Sequence, residues 1–538
     1  MKLNRMNWER CPLIWMIIVG TVATACCQKI KWSANYEMSS IFNKNEIIQV
    51  TRDGFYVLEQ YKDANYYYQR KVSFYDWNFN KKEGANTIDF SYHGTKGSPP
   101  QGISIEEKPY VWGVVNDENK PMKYLWLNGI DTGTLDLNKA TYFIDSVGYE
   151  ELINPKEPFR SCRSLDQSKI LFYGEQPHRK RATANLGALL VDVEMKQVWK
   201  KEISLPQKAG IFTTDDVVDA VVSDAGDAYL LCKLYKGKDK KEEKKIGTRF
   251  VYSVVYMGKQ GSPKAIDTLK VLSPKDSAIV VSAKLSVDPS TGKVICIGTY
   301  KLPRKKAGLF SLNLNSNFSE QPVVIDYPSE ILEMEAKIPR KIKKRKHLSL
   351  KNYKIKSVFE QSKAGRILVA EQHYVNAYWD KSEGRQELHE LNNLLIAKVI
   401  GDQVEWATVL PKRQKAGGEG YTNVPEKLYS FYACERGGYL HLLYNELKEN
   451  LDVIDEFQLK KGYYNKPKNC HLVHCKINLK TGTLESKKSI LGLKEDGIAI
   501  YPKATKLLED GNLLLLGEKP AYNLKEPAYI RFGHWTWE

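Results

Sequence analysis

The densest cluster of chemically capable residues in this 538-residue chain is Cys470-His-Leu-Val-His-Cys475, four borderline-soft ligands in six positions. Such a set suggests zinc. Spacing argues against it. A strand rising ~3.3 Å per residue sends His471 and Cys475 to one face and Cys470 and His474 to the other, with each pair about 13 Å apart. Only a helical turn would gather all four, and the following Lys476-Ile-Asn-Leu-Lys-Thr-Gly482 reads as a strand and a turn. No metal site is therefore assigned, and no cofactor is expected.

The second set is Glu59, Glu175, Glu371 and Glu518, each closing a short apolar run. If those runs are equivalent strands of a repeated module, the four carboxylates fall at equivalent places. As a ring at an axial mouth or rim they would bind a cation or a basic peptide. In an enzyme they would line a funnel for carbohydrate. The plainer expectation is that each caps its own strand, since buried carboxylates need donors. No two of them have the spacing or context of an acid-base pair for glycoside hydrolysis. Lys415-Ala-Gly-Gly-Glu-Gly-Tyr421 lacks the Lys-Ser/Thr and the helix of a phosphate loop, and no nucleophile elbow, His-Glu-x-x-His or calcium-loop series occurs. No catalytic residue is assigned.

The formal net charge is +17. Its purest concentration is Lys337–His347, with Arg340, Lys341, Lys343, Lys344, Arg345 and Lys346. The run lies between apolar runs and has no interleaved aromatics, so it reads as a solvated loop. If it has a partner, a membrane surface or anionic glycan is expected before nucleic acid.

The N-terminus carries Lys2, Arg5 and Arg10, then an apolar run from Pro12 to Ala25, then cysteine. This is the pattern of a secretory signal over residues 1–25, short of the ~20 apolar residues of a membrane span. Ala23-Thr-Ala-Cys26 fits ordinary signal peptidase. It also resembles a bacterial lipoprotein box, with Ala23 where leucine is usual, which would leave Cys26 lipidated. The expected location is the periplasm or outer membrane of a Gram-negative bacterium, with a lipid anchor holding the chain to the membrane. Nine cysteines do not imply a disulfide framework here, because Cys232, Cys296 and Cys434 lie in or beside the apolar runs, where cysteine packs as a small buried residue.

What would position these groups is a repeat. A turn containing Gly or Asp feeds four to six β-favouring residues at Asp53-Gly-Phe-Tyr-Val-Leu58, Asp166-Gln-Ser-Lys-Ile-Leu-Phe-Tyr173, Ala225-Gly-Asp-Ala-Tyr-Leu-Leu231 and Thr291-Gly-Lys-Val-Ile-Cys296. The pattern continues at Gly365-Arg-Ile-Leu-Val-Ala-Glu-Gln372, Gly437-Gly-Tyr-Leu-His-Leu-Leu443 and Asp510-Gly-Asn-Leu-Leu-Leu-Leu516. The markers step by 58 to 74 residues except for one step of 114, near whose middle lies a weaker copy, Glu107-Lys-Pro-Tyr-Val-Trp-Gly-Val-Val115. Strand pairs follow several copies, as in Leu189–Trp199 and Leu394–Trp406. A lone four-stranded sheet cannot cover both faces, whereas copies packed around an axis can. The expectation is an all-β chain: 26–44 a linker, and 45–538 one closed β-propeller of seven or eight antiparallel blades with loop insertions. The alternative is two smaller β-domains split at the basic run. The aromatic tail Ala528–Glu538, or the last repeat run, is expected to close the ring against residues 45–60.

Together the leader, Gly365–Gln372 and Asn393-Leu-Leu-Ile-Ala-Lys-Val-Ile-Gly-Asp-Gln-Val-Glu-Trp-Ala-Thr-Val-Leu-Pro411 resemble uncharacterised exported propeller-type proteins of the Bacteroidota. The resemblance spans residues 160–520 and implies no active residues. The segment ending at Trp199 is also loosely similar to quinoprotein-type propeller repeats but lacks their Thr-Gly, so no cofactor carries over. The expected function is a non-catalytic binding or scaffold propeller in the cell envelope with a protein or anionic glycan partner. A carbohydrate-active propeller enzyme is the alternative.

Overall fold

The computed structural model describes residues 29–536 apart from several internal segments, the longest being 149–158, 236–249, 334–352 and 417–427. Every repeat run is the second strand of an antiparallel blade; six blades have four strands, and the sheets of Arg366–Asp380 and Leu513–Lys519 have six. These strands are Gly54–Lys62, Lys108–Asn116, Lys169–Gln176, Ala228–Tyr235, Val294–Lys301, Arg366–Asp380, Tyr439–Leu447 and Leu513–Lys519. The weak copy at 107 is thus a full member, and the blades number eight.

The turn before each second strand explains the marker residues. Gly226, Gly292, Gly365 and Gly511 have φ of 92°, 66°, 92° and 78°, and Glu107 and Gln167 reach 63° and 59° at the corresponding turns. This left-handed region costs an L-residue roughly 1–2 kcal/mol and costs glycine little. Four of these positions are accordingly glycine.

The core is divided among the eight seams between blades, with one apolar cluster in each. Leu513-Leu-Leu-Leu516 shows why these strands read as unbroken apolar runs. Leu513 and Leu515 pack toward blade 7, whereas Leu514 and Leu516 pack toward blade 1. A strand with both faces covered has no polar side to alternate with. The tryptophans of two fourth strands reinforce the seams: Trp199 Nε1 donates to the Gly226 carbonyl at 2.9 Å, and Trp406 Nε1 donates to the Leu479 carbonyl at 3.1 Å.

Ring closure corrects one expectation. The tail strand Ala528–Thr536 pairs with Lys29–Trp32 and Tyr36–Met38, not with residues 45–60. The N-terminal segment therefore supplies the outer strand of blade 8, and strands occupy part of the stretch expected to be linker. Residues 45–51 and 54–62 instead begin blade 1. The aromatic tail does seal the same seam: the Phe532 ring lies 4.9 Å from Phe55 and 4.7 Å from Tyr75. With the termini sharing one sheet, two separate β-domains are excluded.

Cys470–Asn478 is a strand of blade 7. Cys475 packs toward blade 6, while His474 stacks on His441 and meets Trp535 of blade 8 edge-on. His441 Nδ1 and His474 Nε2 are 2.9 Å apart and both side chains are buried.

Candidate functional site

Because neighbouring blades cover both faces of each sheet, side chains reach solvent mainly along the axis and at the rims. The first strands of adjacent blades meet around the axis: Arg163 donates to the Ser104 carbonyl and hydroxyl at 2.7 Å, Arg160 to the Val217 carbonyl at 2.6 Å, and Ile355 N to the Ser282 hydroxyl at 3.1 Å. Asp219 and Glu46 are drawn into the same scaffold. Asp219 accepts the Leu285 amide at 2.8 Å, and Glu46 accepts the Gly102 amide at 3.4 Å. Lys506 of blade 8 lies within the field of Glu46, which favours its charge, and of Arg163, which opposes it. Burial, the larger cause, also lowers the Lys506 ammonium.

Three of the sequence-selected acids, Glu59, Glu371 and Glu518, sit at seams between blades. Glu59 lies at the seam between blades 8 and 1, where Tyr75 Oη donates at 2.7 Å and Lys81 pairs at 3.0 Å. Glu518 alternates in register with Leu514 and Leu516 and so points toward that same seam. Glu175 is a strand residue of blade 3 opposite Leu186. Glu371 is fully buried on the side of blade 6 that faces blade 7, with Lys412 at 2.7 Å and the Ser430 hydroxyl donating at 3.0 Å. Cys26 and the basic run Arg340–Lys346 lie outside the described residues; in sequence that run joins the last strand of blade 5, Val323–Asp326, to the first of blade 6, Tyr353–Glu360.

What the structure gathers instead lies on blade 6, at the rim where first strands begin and second strands end. Lys354 sits opposite Glu371 across the ladder, and Lys356 approaches Glu371 at 3.8 Å. The second and third strands, Arg366–Asp380 and Gly384–Ile400, run 15 and 17 residues, longer than any other strand among the described residues. At the root of this long hairpin His373 and His389 are diagonal neighbours, with His373 Nε2 3.1 Å from His389 Nδ1. Lys354 Nζ lies 3.3 Å from His373 Nδ1. A charged lysine only donates, so His373 Nδ1 accepts, its proton sits on Nε2, and Nε2 donates to His389 Nδ1. The result is a directed chain, lysine to histidine to histidine.

Burial lowers the Lys354 ammonium to about 8, helped by the charges of Lys356 and Lys233 and opposed by Glu371. Burial and then Lys354 and Lys356 push His373 down to about 2, so it is neutral in ordinary buffers. Beneath them Lys412, with no exposure, donates to Glu371, to the Leu391 carbonyl at 3.1 Å and to Gln414 Oε1 at 2.9 Å. Glu446 is equally buried at the same seam and accepts the Arg413 and Leu447 amides and Asn450 Nδ2, each at 2.9 Å. Burial raises its carboxyl.

Sequence reasoning missed Lys354, Lys356, His373, His389, Lys412 and Glu446. A signal existed for three of them. Tyr353-Lys-Ile-Lys356 alternates like a strand with one polar side, and Glu446 closes its repeat run as Glu371 closes the preceding one.

No protein-family model matches the sequence, and no curated protein matches it. Among solved structures the chain is similar to the β-propeller domain of the Trilobed protease from Pyrococcus furiosus, at 10% identity and a TM-score of 0.33, covering 86% of this chain and 95% of that one. It is similar to a puromycin-hydrolyzing peptidase of Mycobacterium tuberculosis at 10% identity and a TM-score of 0.35, covering 92% of this chain and 62% of that one. It is also similar to the polysaccharide lyase Uly1 at 9% identity and a TM-score of 0.35, covering 79% and 88%.

Proposed function

We propose that the protein is an exported binding propeller, anchored through Cys26, that holds an anionic glycan at its axial mouth without turning it over. One observation carries this reading. Glu59 and Glu371 are committed to lysines and hydroxyls inside the seams, whereas Lys284 and Lys356 of the first strands, each 3.8 Å from a carboxylate (Asp219 and Glu371), keep 35% and 32% of their side chains exposed. A hydrolase funnel needs carboxylates that meet substrate. A basic, partly hydrated lining instead favours acidic ligands, with affinity that weakens as salt rises.

The test is calorimetric titration with an oligouronate and with a neutral oligosaccharide of the same length, alongside an assay for newly released reducing or unsaturated ends. The expected result is salt-sensitive binding of the oligouronate alone and no released ends. Equal binding of the neutral sugar, or measurable cleavage of either, overturns the proposal.

A further inference from the structure

We propose that Lys354 is a covalent capture site whose side-chain amine condenses with the carbonyl group of a small anionic oxo compound. This goes beyond glycan binding and does not rest on it. The geometry supplies the parts such a site needs. The amine is partly buried and fixed by its 3.3 Å contact with His373, which is neutral and available as an acceptor. Lys356 stands two residues along the same strand, 3.8 Å from Glu371 yet 32% exposed, and its exposed side can receive the anionic group. Lys412, the other buried lysine of the cluster, is occupied by three acceptors and has no exposure, so it does not compete.

The chemistry balances without an oxidant. The Lys354 lone pair attacks the carbonyl carbon, forming C–N as the C=O π pair moves to oxygen. The carbinolamine then loses water: C–O breaks, C=N forms, and the departing oxygen carries away the two hydrogens that the neutral amine had held. In transit the proton passes to solvent, while His373 Nδ1, 3.3 Å from the amine, orients it, its own Nε2 proton already directed at His389. An ammonium is no nucleophile, so the lowered proton affinity matters. With a pKa of about 8, roughly a quarter of Lys354 is free amine at pH 7.5, against ~0.1% for an ordinary lysine.

The experiment treats the mature protein with glyoxylate and cyanoborohydride at pH 7.5 and follows carboxymethylation of individual lysines by peptide mass spectrometry. Lys354 is expected to react about ten-fold or more faster than the exposed Lys196 and Lys480, the gain in free amine being partly offset by its weaker nucleophilicity. In Lys356→Gln the ratio of glyoxylate to acetaldehyde rates at Lys354 should fall several-fold. Lys354→Arg, shown folded by circular dichroism, should lose the fast-labelled peptide and no other. Labelling of Lys354 no faster than Lys196 and Lys480 overturns the capture site. An unchanged ratio in Lys356→Gln overturns the anionic class of its ligand.

Discussion

The stacked pair His441 and His474 makes stability in mild acid a direct test of how the seam between blades 7 and 8 is built. Burial lowers His441 to about 4, with Lys476 and Arg436 adding repulsion and a hydrogen bond to the Arg436 backbone opposing it. Burial, His441, Lys476 and Lys488 lower His474 to about 3. Both folded values lie below the ordinary ~6.5 of an unfolded histidine. The unfolded chain therefore binds more protons between the two values, and stability falls as pH drops through 6.5 toward 4. At pH 5 each unfolded imidazole is almost fully charged and each folded one is neutral, which removes about 2 kcal/mol per histidine, or about 4 kcal/mol for the pair. The measurement is guanidinium unfolding at pH 7.5 and pH 5 for the natural chain and for His441→Gln/His474→Gln. The double variant should lose about 4 kcal/mol less between the two conditions. Histidine ¹H–¹³C spectra of the folded protein give the direct check. A titration of either ring near pH 6.5 would refute the claim that the seam excludes charge.

Three further outcomes follow from packing. Lys412→Met leaves Glu371 buried opposite an apolar side chain and should cost about 3–5 kcal/mol by denaturant unfolding, most of it recovered in Glu371→Gln/Lys412→Met; no recovery would mean that the pair is not the source of the loss. Phe532→Ala removes the ring shared by Phe55 and Tyr75 at the closure and should cost about 3–5 kcal/mol, read as a lowered midpoint. Gly365→Ala puts a Cβ 2.3 Å from the Val399 carbonyl at φ 92°, whereas Gly292→Ala meets nothing within 4 Å at φ 66°. The first should lower the melting temperature markedly more than the second, which carries only the ~1–2 kcal/mol of the left-handed backbone.

The blades were legible because their defining signal is local. A turn that demands positive φ followed by a doubly covered strand leaves the same mark at Gly226, Gly365 and Gly511. The closing strand was not legible. Lys29-Ile-Lys-Trp32 is short and carries two lysines, and what makes it a strand is its partner some 500 residues away in sequence, Gly533–Thr536. The acids were found but their surroundings were not, because which seam a residue faces depends on the bulge between Glu371 and His373 and on side chains from other elements, such as Lys412 and Ser430. The lysine–histidine chain escaped for a similar reason. Lys354, His373 and His389 sit on three strands and share no motif.

The direction of the outermost strand of blade 8 decides which rim the N-terminal segment approaches. Lys29 lies opposite Thr536, the end of the tail strand, so the chain enters at the rim away from the one that carries Lys354 and His373. Two residues, Cys27 and Gln28, separate Cys26 from Lys29, a reach of about 10 Å when extended. Were Cys26 acylated, so short a leash would hold the outer edge of blade 8 close against the bilayer and turn the rim that carries Lys354 and His373 away from it.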